Sequence, residues 1–272
     1  MKLKYKPPLD WQRLLGFLAP RGIRGVESID VEAKRLRRTL RFGRQLVPVE
    51  CRIDEGQSFV SISASGHEAA AKKLAAIVFD LEAPIEALAQ YFPQTPGVRV
   101  PGAWDEFEMG VRAILGQQIS VAAAHTLAGR LAERWGEAIQ TPWPEVRTAF
   151  PQASTIAGCR AEELKEIGLT TKRAECLLGF AKWYAEGKQG NMLELPGIGS
   201  WTKSYWEMRT GANRDAFPAA DLGVQKALAI ANPGSATARR EAEKRSQIWR
   251  PWRSYAVMML WTGAAIPTGP LK

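Results

Sequence analysis

Histidine and cysteine are scarce in this 272-residue chain, which has only His67 and His125 of the first and Cys51, Cys159 and Cys176 of the second. Three scattered cysteines give neither a disulfide framework nor the paired spacing of a zinc or iron–sulfur site. Two histidines leave little for a His-based metal centre or triad, and each reads as a surface or helix-face residue. No apolar run has the length to span a bilayer. The basic start MKLKYKPPLD meets two prolines where a signal peptide needs an apolar stretch. Internal repeats and low-complexity segments are missing too. The expectation from these absences is a soluble protein of a reducing compartment, placed in the cytoplasm, with no membrane partner.

Basic charge and aromatic rings are what the chain does have. Lys and Arg number 37 against 28 Asp and Glu, a formal net charge of +9. That balance favours polyanionic partners, because phosphates attract the protein and release counterions when neutralised. The length suits one large domain or two to three small ones. Val47, Val49, Cys51 and Ile53 alternate, DEGQ turns the chain, and Val60, Ile62 and Ala64 resume the pattern, as in a hairpin with one buried face. The preceding run of Lys34, Arg35, Arg37, Arg38, Arg41 and Arg44 reads as a solvated sheet edge. With a helix over about 68–81, residues 1–82 form an expected small α+β domain.

From residue 83 onward the pattern is helical. FEMGVRAILG places Phe107, Val111, Ile114 and Leu115 on one face, and Ser120 caps a second helix that ends at Gly136. Further helices are expected in AEELKEIG, TKRAECLLGFAKWYAEG, TKSYWEMR, LGVQKALAI, ATARREAEKR and SYAVMMLW. The predicted fold is mainly α with an N-terminal α+β domain. Its helical region, 83–272, divides into two subdomains that flank a cleft.

Two segments in that region point to chemistry. In LELPGIGS, Gly197 and Gly199 permit positive φ and close backbone approach, and the helix starting near Ser200 offers free N–H groups to an anion. Taken alone, the turn fits a tight connection between packed helices equally well. Downstream, in DAFPAADLGVQKAL, Asp221 stands at the N-cap of a helix, where dipole and capping N–H groups favour its ionised form. Such a carboxylate suits a developing cation or an attacking water, although most capping aspartates do nothing further. Trp201, Trp206, Trp249, Trp252 and Trp261 crowd the last third, and Trp201 shares a helix face with Tyr205. Trp206, Trp249 and Trp252 read as mainly structural. The others could stack a flipped, cationic base.

The runs LPGIGSWTKSYWEMR and DAFPAADLGVQKAL together resemble the helix-hairpin-helix DNA glycosylase superfamily, and within it the AlkA type, 3-methyladenine DNA glycosylase II. PPLDWQRLLGFLAPR, FEMGVRAILGQQISV and WRPWRSYAVMMLW extend the resemblance in order over nearly the whole chain. It implies a hairpin over about 191–209 and a catalytic segment over 215–228. Backbone N–H groups of Gly197, Gly199 and Thr202 would bind a phosphate of damaged double-stranded DNA. Carbonyls of Leu193, Leu195 and Ile198 would hold a structural monovalent cation, with no other cofactor required. Asp221 falls at the catalytic aspartate, Trp201, Tyr205 and Trp261 line the base pocket, and Gln117 and Gln118 approach the gap left by the extruded nucleotide.

The implied reaction is hydrolysis of the N-glycosidic bond of an alkylated base such as 3-methyladenine, initiating base excision repair. A base that already carries positive charge leaves without an acid, and an apolar aromatic pocket favours such a flat cation. Lyase members place a lysine where this chain has Trp201, so a monofunctional enzyme is implied, and a monomer. Two departures stand out. AEGKQGNMLE leaves barely a turn between Gly187 and Leu195 for the first helix of the motif, and Gln118 replaces an aliphatic wedge.

Overall fold

The structure, a computed structural model, describes residues 1–263. The expected helical region 83–272 therefore ends, at 264–272, outside the described residues. Five antiparallel strands, β1 (Lys2–Lys4), β2 (Glu27–Asp30), β3 (Arg35–Phe42), β4 (Gln45–Asp54) and β5 (Phe59–Ser63), form a sheet in the order β1-β5-β4-β3-β2. Helices α1 (Trp11–Leu18) and α2 (Glu68–Val78) belong to the same N-terminal unit. β4 and β5 are the hairpin that the alternation predicts: Leu36 faces Cys51 and Cys51 faces Ile62, all buried.

The basic run is not a solvated edge. β3 lies between β4 and β2, so both its edges are hydrogen-bonded. The period of two puts residue 38 on the same face as Leu36 and Leu40, which points into the core. Arg38 is only 2% exposed, and it is tolerated there because Glu27 and Glu108 accept its Nη1 and Nη2 at 3.1 and 2.8 Å.

The rest of the described chain is mainly helical: α3 (Ile85–Tyr91), α4 (Glu106–Leu115), α5 (Val121–Trp135), α6 (Ala153–Ala157), α7 (Ala161–Glu166), α8 (Thr171–Ala185), α9 (Ser200–Thr210), α10 (Leu222–Ala227), α11 (Ala236–Ser246) and α12 (Arg253–Trp261). A two-residue ladder, β6 (Glu137–Ala138) with β7 (Thr148–Ala149), follows α5. Local chemistry sets the helix starts. Asp10, Asp105, Ser120, Thr170, Asp221 and Ser235 each accept a backbone N–H in the first turn of α1, α4, α5, α8, α10 and α11.

Two apolar cores result among the described residues. One joins the sheet, α1 and α2 to Val224, Trp249, Tyr255 and the apolar face of α12. The other joins α4, α5 and α8 around Val111, Ile114, Leu131, Leu177 and Phe180. Between them lies a cleft of about 1170 Å³, lined from the first side by Leu18 and Leu36 and from the second by Ala128.

Candidate active site

Asp221 reaches the cleft because it caps α10. Its Oδ1 accepts the backbone N–H of Val224 at 2.8 Å, which fixes the side chain at the helix start. The same Oδ1 accepts the indole N–H of Trp261 at 3.0 Å, and Oδ2 accepts that of Trp201 at 2.8 Å. Three neutral donors thus hold one carboxylate. A carboxylate offers about four lone-pair sites, so Oδ2 keeps one for a further donor. Gly223 makes room for this arrangement: a Cβ there would sit 3.0 Å from Asp221 Oδ1 and 3.4 Å from Trp261 Cδ1.

Aromatic rings surround the carboxylate. One turn of α9 stacks Tyr205 on Trp201, with centroids 5.2 Å apart and planes at 17°. Trp261, from α12, lies 6.0 Å from Tyr205, and Phe17 of α1 stacks behind it at 6.0 Å and 10°. Trp201, Tyr205, Trp261 and Asp221 all line the one cleft. Trp206 faces away from it and donates its indole N–H to the Glu106 carbonyl at 2.9 Å, while Trp249 is buried and Trp252 packs against the same core.

The wall of the cleft is polar as well as aromatic. Arg209, one turn after Tyr205, is 3% exposed and donates to the Tyr205 hydroxyl at 2.9 Å. Burial lowers its pKa; the Tyr205 phenol opposes that, and the nearby Arg21 and Arg112 guanidiniums add to it. Arg21 sits over the Phe17 ring at 3.8 Å and donates to the Phe17 carbonyl at 2.9 Å. Deeper in, Glu27, Arg38, Glu108 and Arg112 form a closed ion network between β2, β3 and α4. Burial alone would raise the Glu108 carboxyl, yet Arg38 and Arg112 outweigh it and hold it at about 2.

The glycine turn forms one lip. Gly197 has φ +83°, and a Cβ there would lie 2.9 Å from Cys176 Cβ, so both conformation and packing demand glycine. Gly199 is the N-cap of α9 and supplies no side-chain cap, which leaves the first-turn N–H groups, Thr202's among them, open to an anion. The segment before the turn is a single 3₁₀ turn, Met192–Glu194, in place of a full helix. Facing the turn, the α4–α5 connection is clamped by Gln117. Its amide donates to the Gly197 carbonyl at 3.1 Å and to Thr202 Oγ1 at 3.0 Å, while Arg173 donates to its carbonyl at 2.6 Å. Gln118 follows with φ +55° and an exposed side chain. The two glutamines are therefore placed differently, the first against the turn and the second free at the rim. Leu193 is exposed, Ile198 is buried, and the Leu195 carbonyl accepts the Ile198 N–H at 3.1 Å.

Known proteins resemble this chain over most of its length. Residues 111–252 match the model of the HhH-GPD superfamily base excision DNA repair proteins, and residues 1–105 match the AlkA N-terminal domain. Over 95% of both chains the sequence is 35% identical to DNA-3-methyladenine glycosylase 2 of Escherichia coli. The chain belongs to the HhH-GPD superfamily of base excision DNA repair proteins. A DNA-3-methyladenine glycosylase of Bacillus subtilis is 32% identical over 61% of this chain and 59% of its own. Among solved structures, 3-methyladenine DNA-glycosylase from Archaeoglobus fulgidus superposes with a TM-score of 0.79 at 20% identity, covering 96% of this chain and 97% of that one. The apo 8-oxoguanine glycosylase/lyase of Clostridium acetobutylicum gives 0.69 at 15%, covering 94% and 93%. Both share the HhH-GPD fold.

Sequence reasoning missed part of this HhH-GPD cleft. Arg21, Arg209, Trp104 and His125 line it, and Phe17 backs Trp261. The spacing of Arg209, four residues after Tyr205 on a helix already assigned to the site, was the one available signal.

Proposed function

We propose that this protein is a monofunctional DNA glycosylase, hydrolysing the N-glycosidic bond of alkylated, cationic bases such as 3-methyladenine in double-stranded DNA. The observation that carries the reading is the Asp221 carboxylate, held by three N–H donors among aromatic rings in the cleft. As the bond breaks, its electron pair neutralises the departing cationic base and the sugar becomes oxocarbenium-like. Asp221 stabilises that charge, and the open site on Oδ2 orients the water that adds to C1′, whose proton passes by way of the carboxylate to solvent. Trp201, Tyr205 and Trp261 present ring faces and edges to the flat base. The turn around Gly197, Gly199 and Thr202 binds a backbone phosphate through N–H groups, and Gln118 enters the gap in the duplex while Gln117 holds the loop.

Among the described residues, the carbonyls of Leu193 and Ile198 accept no N–H, whereas that of Leu195 does. Two free backbone oxygens at the turn fit a weakly bound monovalent cation, which would bring positive charge toward the phosphate. The reading includes a monomer that acts at the nucleoid.

Lyase chemistry needs an amine at the reacting sugar. On the family resemblance Trp201 falls at the position of that amine, and Lys203, two residues on, pairs with Glu207 instead. The fold does not decide the matter, since glycosylase/lyases share it. The test is incubation with methylated duplex DNA, with and without borohydride. Free 3-methyladenine and no trapped protein–DNA adduct are expected; an adduct would overturn the monofunctional assignment, and no base release would overturn the activity.

A further inference from the structure

Gln118 is a free side chain between fixed neighbours. It lies in the connection from α4 to α5, residues 116–120, which is tied down on both sides. The Gln117 N–H donates to the Ile114 carbonyl at 3.3 Å, Ile119 packs against the second core, and Ser120 Oγ accepts the Ala123 N–H at 3.2 Å. Gln118 itself is exposed, and its side chain has no hydrogen-bond partner among the described residues. Its φ of +55° lies in the left-handed region, which a residue with a Cβ keeps only where its surroundings impose it.

The surroundings are Gln117 and Arg173. The Gln117 amide has two hydrogens and gives one to the Gly197 carbonyl at 3.1 Å and one to Thr202 Oγ1 at 3.0 Å. A carbonyl can only accept, so it is the nitrogen end of the amide that meets the turn. The partners are themselves fixed: Thr202 is 2% exposed, and Gly197 packs against Cys176. Arg173, from α8, donates Nη2 to the backbone carbonyl of Gln117 at 2.6 Å. That carbonyl belongs to the planar peptide joining Gln117 to Gln118, so its partner sets the plane about which Gln118 turns.

Resting on the glycosylase reading, we infer that Gln117 and Arg173 are positioning residues that preset Gln118 for entry into the duplex and tie that entry to phosphate capture at the glycine turn. Thr202 links the two events. In this reading its backbone N–H meets the phosphate, while its Oγ1 accepts from Gln117. A phosphate seated at the turn thus fixes, through the Gln117 amide, the residue that fills the gap. Extrusion costs pairing and stacking, and a wedge already held in its inserted conformation lowers the ordering needed at that moment. Where the lesion has no pairing partner, extrusion costs less and the preset matters less.

The experiment measures single-turnover release of 3-methyladenine from a duplex in which one strand carries a single adenine, methylated after annealing. Thymine or an abasic site stands opposite. The proteins are wild type, Gln117→Ala, Gln118→Ala, the double variant and Arg173→Met. Release from the paired site is expected to slow by about tenfold in Gln117→Ala and in Gln118→Ala, and by no more than about threefold opposite the abasic site. The double variant is expected within about twofold of Gln118→Ala, because Gln117 acts through Gln118. Arg173→Met leaves the turn contacts of Gln117 in place and is expected to show the same dependence on the opposite position, so it keeps the test open where Gln117→Ala disturbs the turn. Equal deficits on the two duplexes, or single deficits that multiply in the double variant, would overturn the inference while leaving the activity standing. If wild type releases the base from neither duplex, the glycosylase reading itself fails.

Discussion

Arg38 shows how a single residue can carry a fate that its neighbours in sequence do not announce. Six basic residues within eleven positions look like a solvated edge. Strand periodicity nonetheless turns Arg38 inward, and its partners Glu27 and Glu108 lie 11 and 70 residues away. The network that results is sensitive to acid. Because Glu108 titrates near 2 in the folded chain against an ordinary 4.5, its contribution is complete above about 4.5 and is lost as pH falls toward 2. Glu108→Gln leaves Arg38 and Arg112 short of a counter-charge and is expected to cost about 3–5 kcal/mol in denaturant unfolding near neutral pH. An unfolding free energy equal to that of wild type would show that the network is not a support of the fold. Asp221 was legible for the opposite reason: a capping aspartate ahead of an apolar run is a local pattern. Its two indole donors, 20 and 40 residues away, were not.

At the scale of elements, the caps and glycine stops made the helices readable, and alternation made the β4–β5 hairpin readable. The flanking strand β2 and the short pairings had no comparable signature, since four residues or fewer carry little period. The glycine turn divides into two parts that a mutation pair separates. Gly197→Ala meets both a positive φ and Cys176, and is expected to destabilise the protein by at least about 1 kcal/mol. Gly199 has an ordinary φ of −105°, and a Cβ there meets nothing within 4 Å. Gly199→Ala should therefore fold as wild type yet bind duplex DNA more weakly, because the added methyl stands where a phosphate would approach. Unchanged affinity would place the phosphate elsewhere.

At the scale of the whole molecule, the cleft exists because the chain builds two cores instead of one. The N-terminal sheet shares its core with α12 and residues around α10, near the other end of the described chain. That long-range closure brings Phe17, from the first helix, against Trp261, from the last of the described ones. Sequence patterning gave the mainly helical architecture and its sheet-bearing start but could not show this closure, because burial between distant segments leaves no periodic trace. The central claim, that Asp221 breaks the bond and does not merely cap a helix, is tested most directly by base release from methylated duplex DNA with wild type and Asp221→Asn. The amide keeps an acceptor oxygen for capping but loses the charge. The account predicts that the variant folds, binds DNA with affinity near wild type, and releases 3-methyladenine at least about 100-fold more slowly. Release at the wild-type rate would contradict it.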